Sequence, residues 1–222
     1  MNYSAVLTKI KAKNAKLLEK HDFEQNHAQI LQREVIGDEI SCIKSDFAQI
    51  STYLHEKPIR DFVGLWREYD LQDIWRKLGG LPQHDRRQLK NIIGTEIDLQ
   101  NILYLYRLRQ FYGIVGDAVF THLTPICHKL SPAETKTLAE AKSIEDFSRL
   151  LENGVYSGVF GGNFCEQAVS RAMRKQYKKA MGNLPKICEY FYARRLEIQN
   201  IRAFHQGTQD GLSPAEILKN LH

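Results

Sequence analysis

Ile97-Asp98-Leu99-Gln100-Asn101-Ile102 is one of three copies of a short phrase: an acid, an aliphatic, a Gln, an Asn or Asp, then an Ile. The others are Tyr69-Asp70-Leu71-Gln72-Asp73-Ile74 and Leu196-Glu197-Ile198-Gln199-Asn200-Ile201. Residues three apart share one face of a helix, so each copy sets two polar side chains together: Asp70/Asp73, Asp98/Asn101 and Glu197/Asn200. Arginines lie near every copy, namely Arg67 and Arg76, Arg107 and Arg109, Arg194 and Arg202. A catalytic acid or metal ligand rarely needs three scattered copies. We therefore read the pairs as a structural polar seam, in which the acid pairs an arginine and the amide bonds a loop carbonyl. Repetition along the chain points to stacked helical subdomains and away from a single enzyme pocket.

Working outward, helical periodicity runs through most of the chain. Tyr3, Val6, Leu7, Ile10, Leu17 and Leu18 form one stripe, with lysines between them. A second helix is expected to start at Pro58, where the missing N–H costs nothing, and to run to Leu78 before Gly79-Gly80. Asp85 could open the next helix, with Gly94 interrupting it; Thr95 and Asp98 have capping-box spacing for a restart running to Tyr112-Gly113. Ser131-Pro132-Ala133-Glu134 and Ser213-Pro214-Ala215-Glu216 each place a cap, a first-turn proline and a third-position acid in the favoured order. Ser143 with Asp146 predicts a further cap. Helices over roughly 164–181 and 185–206 follow a Gly-rich turn at 154–163, and Asp210-Gly211 reads as a helix–helix turn. No stretch alternates strictly enough for a strand. The expectation is an all-α fold: a multi-helix bundle of two to three repeated subdomains within one domain, 1–222, divided roughly at 1–113 and 114–222.

The composition is that of an ordinary globular protein, and its net charge of +5 is a mild bias toward acidic partners or surfaces. The four cysteines stand far apart with no CxxC pair, which argues against zinc and against a secreted disulfide framework. The opening residues are basic and amphipathic, unlike a signal segment, and no apolar run approaches the length of a membrane-spanning helix.

Other candidate chemistry is weak. His122, Cys127 and His128 lack a second ligand pair. The turn 154–163 has neither the Gly-Lys-Ser/Thr ending nor the preceding strand of a phosphate loop. The basic run Arg171, Arg174, Lys175, Lys178 and Lys179 carries more interest, because on a helix these side chains cluster along one side. A solvated face is the plain reading; an acidic protein, anionic lipid and RNA are the alternatives. The nearby Tyr177, Tyr190, Phe191 and Tyr192 are spaced like core residues, which makes RNA the weakest of these. No catalytic, cofactor or metal site emerges.

Four stretches, in order, resemble the family of V/A-type rotary ATPase subunits termed C in archaea and bacteria and d in eukaryotes. They are Leu7 to Leu18 with Asp22-Phe23; Glu96 to Ile102 with Arg107 and Arg109; Leu130 to Ser143 with Leu150 to Tyr156; and Leu196 to Ile201 with Gly211 to Ile217. The chain resembles a shortened member, with residues 19–94 matching least. The resemblance implies a funnel of similar helical subdomains and a non-catalytic connector role in ion transport, with no cofactor. It further implies a place on the cytoplasmic face of the membrane, where central-stalk subunits and the rotor ring would be the partners and membrane contact would come only through the complex. On that reading Arg107, Arg109 and the basic run 171–179 are the candidate partner-binding residues. The alternative is a stand-alone helical adaptor or nucleic-acid-binding protein using the basic helix.

Overall fold

A computed structural model describes residues 3–25, 30 and 39–222. Among these residues every regular element is helical, as expected. The chain forms two compact units that are not consecutive in sequence: Met1–Arg86 with Ala180–His222, and Arg87–Lys179. The expected division near residue 113 instead falls between two elements of the second unit.

The first unit holds α1 (Ser4–Asn14), α2 (Lys20–Gln25), α3 (Glu39–Ser51), α4 (Lys57–Gly64), α5 (Leu71–Lys77), α10 (Asn183–Gln209) and α11 (Pro214–Lys219). Helix α10 is its axis. Leu184, Ile187, Cys188, Tyr190, Phe191, Leu196 and Phe204 are buried along it, and α1, α3 and α11 pack against it. Apolar side chains on so many sides of a helix mark it as a central element. The helix ends in a Schellman turn: Leu212 N–H donates to the Gly207 carbonyl and Gly211 N–H to that of Thr208, with Gly211 at φ 76°. Asp210-Gly211 is thus the helix–helix turn that its residues predict.

The expected helix from Pro58 to Leu78 is divided. After α4 the chain makes a single 3-10 turn, Leu65–Arg67, and Tyr69 then adopts φ 56°. A left-handed non-glycine residue costs roughly 1–2 kcal/mol. Tyr69 is held there by ring contacts to Trp66 and Tyr192 and by the Arg195 guanidinium, 4.6 Å from its ring centroid.

Helix α6 (Gln83–Tyr112) begins in the first unit and supplies the spine of the second. Its residues 92–99 are all buried. Gly94 neither interrupts nor restarts it, and Thr95 with Asp98 lies in mid-helix, so the expected cap there does not exist. The rest of the unit comprises a 3-10 segment (Gly116–His122), α7 (Pro132–Ala139), α8 (Ile144–Glu152) and α9 (Glu166–Lys179). Tyr106, Phe147, Phe160 and Phe164 form an aromatic cluster, with Tyr106 and Phe164 stacked at 4.3 Å.

The strong local signals hold. Ser131 with Glu134 and Ser213 with Glu216 form complete capping boxes, and Ser143 caps α8 through the Asp146 N–H. In both boxes, hydrogen bonds from the serine hydroxyl and backbone hold the glutamate below its ordinary carboxylate range.

Candidate functional site

In the second unit the phrase lies in the middle of α6, and its polar pair grips a loop. Asp98 is 1% exposed. One carboxylate oxygen accepts from the His128 N–H at 3.2 Å. The other accepts from the N–H groups of Lys129 (2.7 Å) and Leu130 (2.9 Å) and from the Tyr156 hydroxyl (2.7 Å). Four donors thus stand where the seam reading expected an arginine. Asn101 mimics a peptide group toward Thr124, donating to its carbonyl and accepting from its N–H, both at 2.9 Å. Asn91, Gly94, Asp98 and Asn101 follow 3–4–3 spacing, so one stripe of α6 faces the loop. Gly94 makes the approach close: a Cβ there would stand 2.4 Å from the His128 ring. Burial pushes the Tyr156 phenol upward, and Asp98 adds to the shift. Burial lowers His128, against an opposing pull from Asp98.

In the first unit the corresponding pair sits in the middle of α10. Glu197, 2% exposed, accepts from the Leu18 N–H at 2.9 Å and pairs with Arg194 one turn earlier. Asn200 repeats the peptide-like embrace, accepting from the His222 N–H at 2.8 Å and donating to its carbonyl at 3.4 Å. Arg194 also lies 3.2 Å from Asp46 of α3, which takes Lys13 Nζ at 2.5 Å and the Tyr190 hydroxyl at 2.6 Å. Burial alone would lower Arg194, but Glu197 and Asp46 hold it above its ordinary value. Asp46 and Tyr190 have no place in the seam that the phrase predicts. A signal for Asp46 is nonetheless present: it interrupts the apolar stripe Ile43–Ile50 of α3, and an acid inside such a stripe needs a partner.

The remaining copy does something else. Asp70 is exposed and caps α5 by accepting from the Gln72 and Asp73 N–H groups, while Asp73 makes a surface ion pair with Arg76. The expected seam at 70/73 is therefore a cap and a solvated pair, because the helix starts inside the phrase.

The candidate partner-binding residues divide as well. Arg107 pairs with Glu166 at 3.0 Å, and Arg109 donates to the Ala139 carbonyl at 2.9 Å, so both brace the second unit. Arg171, Arg174, Lys175, Lys178 and Lys179 are all exposed on α9, with no ion pair among the described residues. Ala168, Val169, Met173 and Tyr177 turn inward from the same helix. Tyr177, Tyr190, Phe191 and Tyr192 are all buried, so they offer no base-stacking platform. Close in sequence to the end of α6, Phe111 (69%), Tyr112 (72%) and Val115 (50%) are exposed. Among the described residues, no group of three or more His, Cys, Asp or Glu is placed to hold a metal ion, and no helix is long and apolar enough to cross a membrane.

An all-helical scaffold in which Asp98, Asn101, Glu197 and Asn200 are spent on anchoring distant backbone has the character of a structural protein. The family model described as ATP synthase (C/AC39) subunit matches residues 45–220, and the chain belongs to that family. It is also similar to the C subunit of the A-type ATP synthase of Methanocaldococcus jannaschii, with 21% identity over 98% of this chain. The match spans 57% of that relative's length. No solved structure matches the chain.

Proposed function

We propose that this chain is a non-catalytic connector subunit of a V/A-type rotary ATPase, joining the central stalk to the membrane rotor ring on the cytoplasmic face. Membership of the ATP synthase (C/AC39) subunit family carries this reading. The geometry supports it, because Asp98 and Glu197, the two buried acids of the phrase, are spent on backbone N–H groups, a phenol and an arginine within the scaffold. Such a subunit must transmit torque without shearing, and helices cross-braced to loops by buried carboxylates resist local opening.

Two surfaces are the docking sites in this proposal. The basic face of α9 offers five uncompensated cations to an acidic partner surface. The exposed aromatic residues Phe111 and Tyr112 offer apolar anchors of the kind that dominate binding energy when buried. Arg107 and Arg109 serve by holding the end of α6 in place.

The test is affinity purification of the tagged chain from mildly solubilised native membranes, followed by mass spectrometry. Stalk and ring subunits of a rotary ATPase should be recovered in a stable ratio. Their absence, with the chain in the soluble fraction, would contradict the connector role.

A further inference from the structure

The first unit contains an open cavity of about 370 Å³ lined by Phe47, Ser51, Arg60, Asp61, Gly64 and Arg67. It lies where α3 and α4 end, since Ser51 and Gly64 are their last residues. Arg67 is fixed at two points. Its Nε donates to the Gly64 carbonyl at 2.8 Å, and its guanidinium lies over the Phe47 ring, 4.8 Å from the centroid. These contacts set the plane of the fork. They leave Nη1 and Nη2 with no acceptor among the described residues. Gly64 lies beside both groups: a Cβ there would stand at ordinary contact distance, 3.4 Å from Phe47 Cζ and 3.6 Å from Arg67 Nη2. Arg60, exposed and in no ion pair among the described residues, also lines the cavity.

We propose that this cavity binds a singly charged carboxylate, received by the Arg67 fork with Arg60 as the second cation. A guanidinium whose plane is already set loses little freedom on forming two parallel hydrogen bonds, and carboxylate matches that geometry. The charge of the site selects a monoanion over a phosphate dianion. Asp61 offsets one of the two arginines, which leaves a net charge of one positive unit among the three charged lining residues Arg60, Asp61 and Arg67. Capping the Gly64 carbonyl needs only Nε, so capping does not account for a stacked arginine with two unused amino groups. The carboxylate could come from a free small organic acid or from an Asp or Glu side chain of a protein segment. The inference is independent of the connector role.

The experiment is an NMR titration of the full chain, following the Arg67 Nε–Hε signal and the Gly64 amide. The probe is N-acetylglutamate α-amide, which carries one carboxylate, with chloride at matched ionic strength and inorganic phosphate as comparisons. A saturable response to the acid, absent with chloride, is expected. In Arg67→Lys, which keeps the charge and loses the fork, affinity read at Gly64 should fall at least about tenfold. Arg60→Gln, at an exposed position, should weaken binding about threefold without affecting folding, and it decides the matter if Arg67→Lys does not fold. Equal responses to chloride, unchanged affinity in the variants, or tighter binding of phosphate than of the acid would each overturn the proposal. A capped peptide with one glutamate among neutral residues then separates the sources. Affinity about tenfold above the small acid assigns the site to a protein segment, and equal affinity assigns it to a free acid.

Discussion

Asp98-Leu-Gln-Asn101 and Glu197-Ile-Gln-Asn200 carry the same pattern in two separate units, and they solve the same problem with different electrostatics. Each phrase sits in mid-helix, and each asparagine embraces the peptide of one distant residue, Thr124 or His222. The acids differ. Asp98 balances its charge with three backbone N–H groups and a phenol, and no cation takes part. Glu197 uses one backbone N–H and a half-buried arginine, which Asp46 shares. A carboxylate surrounded by fixed dipoles depends on every one of them, whereas one in an ion network can share a loss with its neighbours.

That contrast orders the expected damage. Asp98→Ala leaves four donors unpaired, of which the Leu130 N–H and the Tyr156 hydroxyl are buried, and should cost about 4 kcal/mol, at about 1–3 kcal/mol per buried orphaned group with a smaller share from the part-buried pair. Glu197→Ala should cost about 2–3 kcal/mol, because Arg194 keeps Asp46 and only the Leu18 N–H is orphaned. Chemical denaturation of both variants measures the difference, and equal losses would break the comparison.

The glycines sharpen it. Gly94→Ala should cost about 2–3 kcal/mol, since the ring it strikes belongs to His128, whose N–H is tied to Asp98. Gly207→Ala meets the Ile217 Cγ1 at 2.7 Å, a milder overlap than the 2.4 Å at Gly94, so about 1–2 kcal/mol is expected. Among the amides, Asn101→Leu and Asn200→Leu should each cost roughly 1–3 kcal/mol. Asn200 should sit at the lower end, because one of its bonds is already long at 3.4 Å.

The smallest effect is one of pH. Burial holds His128 below its unfolded value of 6.5, so the unfolded chain takes up a proton first as pH falls. Its contribution to stability is complete above about 6.5 and declines as pH drops toward the folded value. His128→Gln should flatten the slope of stability against pH just below 6.5, while Asn200→Leu should leave that slope unchanged.

How much of this was legible in the sequence depends on the range of each interaction. The caps at Ser131, Ser143 and Ser213 were readable because all their atoms lie within four residues. The all-α class was readable for the same reason. Thr95 and Asp98 have the same local spacing, yet they sit in a buried helix interior, where packing keeps the backbone helical and frees the acid for a loop 30 residues away. The break at Tyr69 was hidden because a ring and a guanidinium from α10, Tyr192 and Arg195, help to hold the unusual backbone there. The discontinuous first unit was unreadable for a related reason: spacing along the chain carries no mark of which distant helix will close a core. The phrase marked Asp98, Asn101, Glu197 and Asn200, but their partners could not be named without the fold.

Amide hydrogen exchange tests the central claim most directly. If Asp98 is the anchor of the loop, the N–H groups of Lys129 and Leu130 should exchange only through unfolding of the second unit, as slowly as core amides of α6. In Asp98→Asn both should exchange faster while the core amides of α10 stay protected. Exchange at the rate of an open loop in the unmodified protein would contradict the account.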